Sequence, residues 1–179
     1  MPRYFAFLRA INVGGHTVKM GQLREIFESL GLSNVGTFIA SGNLIFEARS
    51  HEEDKLVKKI EKGLKEGLGF EVATFIRSDS ELAGVANYRP FPTPQMDSAT
   101  ALNVAFLSAP LEEKAKRSLM ALKSDIDDFH VHGREVYWLC LKKQSESKFS
   151  NAVLEKMLGR KATLRGLNTV RKMAEKYTS

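Results

Sequence analysis

The order of apolar patterns in the first half of the chain is the feature that most restricts its fold. Near-continuous apolar runs predict strands, and stripes with a period of 3.6 residues predict helices. In chain order the patterns are strand, helix, strand, strand, helix and strand, over 4–10, 20–30, 34–40, 44–48, 51–68 and 71–77. The order β-α-β-β-α-β is that of the split βαβ, or ferredoxin-like, fold.

The second half of the chain repeats most of this order. Strand and helix patterns alternate there over 101–107, 110–123, 128–132, 135–141, 148–158 and 168–177. Between the halves, residues 90–94 hold three of the five prolines. Proline fixes φ and removes a backbone donor, so residues 88–97 are predicted to be an extended linker. We therefore expect an α+β protein of two tandem ferredoxin-like (α/β-plait) domains with antiparallel sheets, at 1–90 and 91–179.

The cysteine count and the apolar runs exclude several classes of protein. Cys140 is the single cysteine, so neither an intramolecular disulfide nor a cysteine metal cage can form. No apolar run approaches the roughly 20 residues that cross a membrane. The run Phe5 to Leu8 is too short for the apolar region of a signal peptide. We expect a cytoplasmic protein without a membrane segment.

Basic charge is concentrated in the last quarter of the chain. Residues 134–179 hold 11 Lys and Arg against 4 Asp and Glu, whereas residues 1–133 hold 16 against 17. This asymmetry favours an anionic partner, either nucleic acid or a phosphorylated small molecule. A solvated basic face without a partner is an equally weighted alternative.

The start of the last helix is the predicted anion site. Helix N-termini attract anions, and arginine offers two parallel donors. The predicted site contains Lys148, Lys161, Thr163, Arg165, Asn168, Thr169 and Arg171. Thr163 and Arg165 are the expected direct contacts.

A second predicted ligand site lies at one edge of the first sheet. In the ferredoxin-like topology, loop 11–17 and hairpin 41–43 meet at the same edge. Small residues there let a ligand approach the backbone, and polar side chains orient it. The predicted site contains Arg9, Asn12, Gly14, Gly15, His16, Ser41, Gly42 and Asn43. In the alternative interpretation, Asn12, Ser41 and Asn43 only tie the loops together through side-chain-to-backbone hydrogen bonds.

Other reactive side chains favour structural roles. His130 and His132 share one strand face, but a metal site there would need a third ligand from His16, His51 or a carboxylate, so a polar outer face is favoured. Cys140 lies in an apolar run and is expected to be a core residue. Ser41 has only His16 as a plausible base, and no acid is placed to orient it. We predict no metal or cofactor and assign no catalytic residue.

Three ordered blocks of sequence resemble one bacterial family. They are LRAINVGG at 8–15, TFIASGNLIF at 37–46 and ATLRGLNTV at 162–170. These blocks look like the signature of the domain of unknown function 1697 family, and the resemblance covers essentially the whole chain. That family usually has Gly where Ala10 stands, Gln where Ala40 stands and Asn-Trp where Gly166-Leu167 stand. The resemblance implies two α/β-plait domains and no reaction.

The leading functional hypothesis is a binding module for an anionic ligand, either nucleic acid or a nucleotide. One alternative is an enzyme acting on a small phosphorylated or carboxylated substrate. Another is a protein–protein assembly module. An exposed aromatic pair on a sheet would favour nucleic acid, and a deep pocket around His16 would favour an enzyme.

Overall fold

The computed structural model describes residues 1–11, 17–39 and 42–178, which form two four-stranded antiparallel sheets and the helices that flank them. The strands are β1 (Arg3–Leu8), β2 (Ser33–Thr37), β3 (Asn43–Glu47), β4 (Thr74–Ser78), β5 (Ala101–Phe106), β6 (Asp127–His132), β7 (Glu135–Cys140) and β8 (Thr163–Gly166). The helices are α1 (Met20–Ser29), α2 (Glu53–Leu68), α3 (Asp79–Asn87), α4 (Thr93–Ser98), α5 (Glu113–Met120), α6 (Asn151–Leu158) and α7 (Leu167–Tyr177). No helix within these described ranges is long and apolar enough to cross a membrane.

The chain divides into two compact units. Unit 1 comprises Met1–Gly84 together with Met173–Ser179, and unit 2 comprises Val85–Lys172. Each unit is compact in itself. The predicted domain ranges 1–90 and 91–179 stay a prediction.

Unit 1 is built on a sheet with the strand order β2-β3-β1-β4. The central strand β1 pairs antiparallel with both β3 and β4. Alternate residues of β1, including Ala6 and Leu8, join Phe27 of α1 and Ile60 of α2 in one buried cluster. The sheet therefore carries α1 and α2 on one face.

Unit 2 repeats this topology with the order β6-β7-β5-β8. Its central strand β5 pairs antiparallel with β7 and β8. Ala105 and Trp138 pack with Leu119 of α5 and Leu154 of α6 in the core. The predicted pair of ferredoxin-like folds with antiparallel sheets is confirmed.

Two predictions about local structure were wrong. The proline-containing stretch is not wholly extended, because Thr93–Ser98 forms α4 with Pro94 in its first turn. Proline is accepted there, since the first-turn N–H groups have no partner within a helix. The sequence analysis also missed β8, a strand of only four residues.

Candidate functional site

The predicted ligand edge of the unit 1 sheet brings three strand ends together. The Leu8 backbone N–H donates to the Gly42 carbonyl over 2.9 Å, and that of Arg9 donates to Ala73 over 2.9 Å. The end of β1 therefore lies beside the starts of β3 and β4, as the topology requires. Five of the predicted site residues lie outside the described residues: Asn12, Gly14, Gly15, His16 and Ser41.

Asn43 and Gly42 both have a structural use at this edge. The buried Asn43 donates its side-chain N–H to the Phe38 carbonyl over 3.1 Å. Gly42 has a φ of 80°, and a Cβ added to it would lie 3.0 Å from the Leu8 Cβ. Glycine is therefore required at position 42, and Asn43 makes a side-chain-to-backbone bond of the kind that ties loops together.

Two non-glycine residues at this edge have left-handed backbone conformations. Ala10 has a φ of 52° and Ile39 a φ of 50°. A side chain in this conformation costs roughly 1–2 kcal/mol. Glycine would adopt the φ of Ala10 without this cost. Backbone strain of the kind seen at Ala10 and Ile39 is concentrated at functional sites.

Thr163 and Arg165 of the predicted anion site are in direct contact. Arg165 Nη1 donates to Thr163 Oγ1 over 2.7 Å and to the Leu164 carbonyl over 2.9 Å. Burial lowers the pKa of Arg165 to about 10. The surroundings of this guanidinium therefore disfavour its charged form.

The other members of the predicted anion site are dispersed. Arg171 donates through Nε to the Ala86 carbonyl over 3.4 Å, whereas Lys148 lines a cavity beside Phe149. Helix α7 begins at Leu167, so Asn168 and Thr169 lie inside its first turn and neither is its N-cap residue. Asn168 is exposed and Thr169 half-buried, and Lys161 is exposed just before β8. Among the hydrogen bonds given above for the described residues, the bond from Arg165 to Thr163 joins two members of the predicted site.

An arginine occupies the same position in both units. The backbone N–H of Leu107 donates to the Arg134 carbonyl, and the backbone N–H of Leu8 donates to the Gly42 carbonyl. Because these two bonds are equivalent in the two sheets, Leu8 can be aligned with Leu107. On this alignment Phe5 corresponds to Val104. Arg77 of β4 lies opposite Phe5, and Arg165 of β8 lies opposite Val104.

Arg77 shares its local geometry with Arg165. Arg77 is only 1% exposed, and its Nη1 donates to the carbonyl of the preceding Ile76 over 2.9 Å. Each arginine lies two residues before a helix begins. Sequence analysis missed Arg77, and the repeated spacing to a helix start was the signal that could have found it.

Tyr88 covers the paired histidines of β6. Its ring lies 3.9 Å from that of His132, and its hydroxyl lies 2.5 Å from His130 Nε2. Burial lowers the pKa of His130. Within the described ranges, no three His, Cys, Asp or Glu side chains are grouped closely enough to hold a metal ion.

The sheets present no exposed aromatic surface in the part of the chain that the structure describes. The large apolar side chains exposed there are Met1, Ile39, Met120, Leu122, Leu141 and Val153, none of which is aromatic. Aromatic residues of the strands, such as Phe7, Phe106 and Trp138, are buried. The stacking surface that would favour nucleic acid is therefore missing from these residues.

Comparisons with known proteins agree with this fold. A family model described as "Protein of unknown function (DUF1697)" matches residues 1–137, so the sequence block at 162–170 lies beyond the matched region. A solved structure, described as that of a conserved bacterial protein from Streptococcus pneumoniae, superposes with a TM-score of 0.78 at 22% identity. That match covers 97% of each chain. No curated protein matches the sequence.

Proposed function

The chain belongs to the family of proteins of unknown function DUF1697, and we propose that it binds a small phosphorylated molecule, of the nucleotide class, where β8 meets α7. The observation that carries this proposal is the contact between Arg165 and Thr163 at the point where β8 meets α7. The Arg165 guanidinium donates to the Thr163 hydroxyl and to the Leu164 carbonyl, and burial lowers its pKa to about 10. A bound anion would favour the charged form that burial disfavours.

The contact between Thr163 and Arg165 supports phosphate recognition. Arginine can donate two parallel hydrogen bonds to a phosphate, which adds geometric selectivity to the charge attraction. Thr163 Oγ1 accepts a bond from Arg165 Nη1. A hydroxyl that accepts still has one hydrogen to donate. Thr163 can therefore donate to the same phosphate oxygen that approaches Arg165.

The dispersion of the other basic residues favours a small anion over a nucleic acid. Extended nucleic acids are bound through many phosphate contacts and stacked bases. Arg171 is bonded to a backbone carbonyl, Lys148 lies on a separate cavity, and the exposed apolar residues described above contain no aromatic ring. A single phosphate or diphosphate group matches one arginine and one hydroxyl.

Calorimetric titration with ADP, inorganic pyrophosphate and a short DNA duplex tests the proposal. We expect ADP and pyrophosphate to bind, and at a ligand concentration of about 100 times Kd they should stabilise the fold by roughly 2.7 kcal/mol. The Arg165→Gln variant should bind ADP at least about tenfold more weakly, because a hydrogen bond to a charged group contributes roughly 1.5–3 kcal/mol.

Two control variants separate local recognition from charge and folding. Arg77→Gln removes the equivalent buried arginine of unit 1, and Lys172→Gln removes an exposed positive charge from α7. Both should leave ADP affinity within about twofold of the wild type. Equal ADP binding by wild type and Arg165→Gln would refute the proposal. So would tight duplex binding with a steep log–log salt dependence, of about −0.9 per phosphate contacted.

A further inference from the structure

Unit 2 contains an open cavity that the function proposed above does not use, although Lys148 of the predicted anion site lies in its lining. Its volume is about 430 Å³, within the range of roughly 300–1,000 Å³ typical of small-molecule sites. The cavity lies where the chain leaves α5 and where it enters α6. Its apolar wall is formed by Leu122, Ile126, Phe149 and Val153.

The apolar wall is open to solvent in the structure. Leu122 is 39% exposed and Val153 is 36% exposed, although large aliphatic side chains are usually buried. Phe149 is buried and packs against Trp138 with ring centroids 4.9 Å apart. A ligand with an apolar body could therefore cover Leu122 and Val153 and rest on a rigid aromatic base.

A buried carboxylate lies in the wall of the cavity. Asp127 is only 5% exposed, and its Oδ1 accepts a hydrogen bond from Trp138 Nε1 over 2.8 Å. Its Oδ2 accepts from Ser147 Oγ over 2.7 Å and from Ser124 Oγ over 3.5 Å. All three donors are neutral groups. Buried charges are normally paired, so a ligand cation is the group that would compensate this one.

Acidic residues continue around a second cavity that adjoins the first. This smaller cavity, of about 180 Å³, shares Ser124, Ile126 and Asp127 with the larger one. The acidic residues that line the two cavities are Asp125, Asp127, Asp128 and Glu146, and the basic ones are Lys123 and Lys148. Lys123 forms an ion pair with Asp128 over 3.6 Å. The surroundings are therefore acidic in a protein whose net charge is +6.

We propose that this cavity binds a small molecule with an apolar body and one protonated amine. The body lies against Leu122, Phe149 and Val153, and the ammonium group lies at the Asp127 carboxylate. The site is separate from Thr163 and Arg165, so it does not depend on the function proposed above.

Three small probes of nearly equal size isolate the charge requirement. They are 2-phenylethylamine, 2-phenylethanol and phenylacetate, which differ in carrying a positive charge, no charge and a negative charge. Trp138 is the single tryptophan and is bonded to Asp127, so its fluorescence reports directly on the proposed ammonium position. Chemical-shift changes in amide NMR spectra give each Kd independently.

We expect the amine to bind at least about tenfold more tightly than the alcohol, and phenylacetate to bind most weakly. Leu122→Arg should abolish amine binding by placing a cation at the mouth of the cavity. Lys148→Glu should strengthen it about fivefold, because this change replaces a repelling charge with an attracting one. Asp127→Asn should weaken it about tenfold or more. Both Leu122 and Lys148 are exposed, so their variants remain informative even if Asp127→Asn does not fold.

Three results would overturn the proposal. The first is equal affinity for the amine and the alcohol, which would remove the role of Asp127. The second is preferred binding of phenylacetate that Lys148→Glu weakens, which would assign the cavity to an anion. The third is the absence of Trp138 fluorescence and NMR changes with any probe up to millimolar concentration.

Discussion

The ring of Tyr88 lies flat on the ring of His132, with centroids 3.9 Å apart and 11° between the two planes. The same tyrosine places its hydroxyl 2.5 Å from His130 Nε2. One side chain therefore contacts both histidines of the strand face, His132 by stacking and His130 by a hydrogen bond. The HxH pattern, which in other proteins can supply metal ligands, is used here to anchor the segment that precedes α4.

Replacing Tyr88 should separate the stacking from the hydrogen bond. Tyr88→Phe removes only the hydroxyl and should lower the free energy of unfolding by about 1 kcal/mol. Tyr88→Ala also removes the ring and should lower it by roughly 2–3 kcal/mol. Urea unfolding monitored by Trp138 fluorescence gives both values. Arg89→Ala, at an exposed neighbouring position, should stay within about 0.5 kcal/mol of the wild type.

Stability should depend on pH through His130. Burial lowers the pKa of His130, nearby His132 lowers it further, and Asp128 acts in the opposite direction. Between this folded-state pKa and the unfolded value of about 6.5, the unfolded chain binds more protons than the folded chain. The contribution of His130 is therefore complete above about pH 6.5 and is lost as the pH falls through the folded pKa.

The matched variant for this pH dependence is His130→Gln. Its unfolding free energy, measured in urea from pH 7.5 down to pH 5, should change less steeply with pH than that of the wild type. Loss of the Tyr88 bond lowers the whole curve without changing its slope. Parallel curves for the two proteins would show that His130 is not the group that titrates.

The bond from Trp138 to Asp127 should contribute measurably to stability. Trp138→Phe keeps an aromatic ring beside Phe149 but removes the indole donor from a buried carboxylate. We expect a loss of about 2–4 kcal/mol, combining a charged hydrogen bond with the smaller ring. Ser147→Ala removes a second donor and should cost about 1.5–3 kcal/mol. Circular dichroism during urea unfolding measures both, and strict additivity in the double variant would argue against a shared network.

Ala10→Gly should stabilise the protein. Ala10 has a φ of 52°, a conformation that glycine adopts without steric cost. We expect the free energy of unfolding to rise by about 0.5–1 kcal/mol. Ala99→Gly is the matched control, because Ala99 has an ordinary φ of −69° and should lose stability on the same change. A fall in melting temperature for both variants would contradict the strain assigned to Ala10.

Two helical glycines should respond differently to alanine. A Cβ added at Gly84 of α3 meets nothing within 4 Å, so Gly84→Ala should raise the free energy of unfolding by about 0.5–1 kcal/mol. A Cβ at Gly63 of α2 would lie 2.8 Å from Leu30 Cδ1, so Gly63→Ala should gain less or lose stability. Thermal unfolding of the two variants side by side checks this prediction. Equal gains in stability would show that the Leu30 side chain moves aside without an energetic cost.

Strands with continuous apolar patterns and the helix stripes could be predicted from the sequence, and β8 could not. Helix α2 carries Leu56, Ile60 and Leu64 at regular spacing and is followed by Gly69 in a left-handed conformation. By contrast, β8 offers one apolar side chain, Leu164, between the polar Thr163 and Arg165. The segment is a strand because it pairs with β5, and pairing with a segment that is distant in the chain leaves no pattern in the local sequence.

The candidate sites were only partly accessible to sequence reasoning. Thr163 and Arg165 could be paired because they are two residues apart on a segment rich in basic residues. Arg77 was missed because a buried arginine contradicts the hydrophobic pattern. Its spacing to a helix start repeats that of Arg165, and the strand register places the two at equivalent positions. The cavity beside Asp127 depends on packing between residues 121–127 and 146–153, which no periodicity connects.

The strand order β2-β3-β1-β4 has a consequence for synthesis on the ribosome. The central strand β1 precedes both of its partners, β3 and β4, in the chain. At about 5–20 residues per second, Leu8 waits roughly 3–13 s before Thr74 has been added. The side of the run Tyr4 to Leu8 that pairs with β4 stays unpaired for that interval, and β5 likewise precedes its partner β8 in unit 2. A central strand that is made before its partners therefore leaves an apolar edge exposed during synthesis, until the rest of its own sheet has been added.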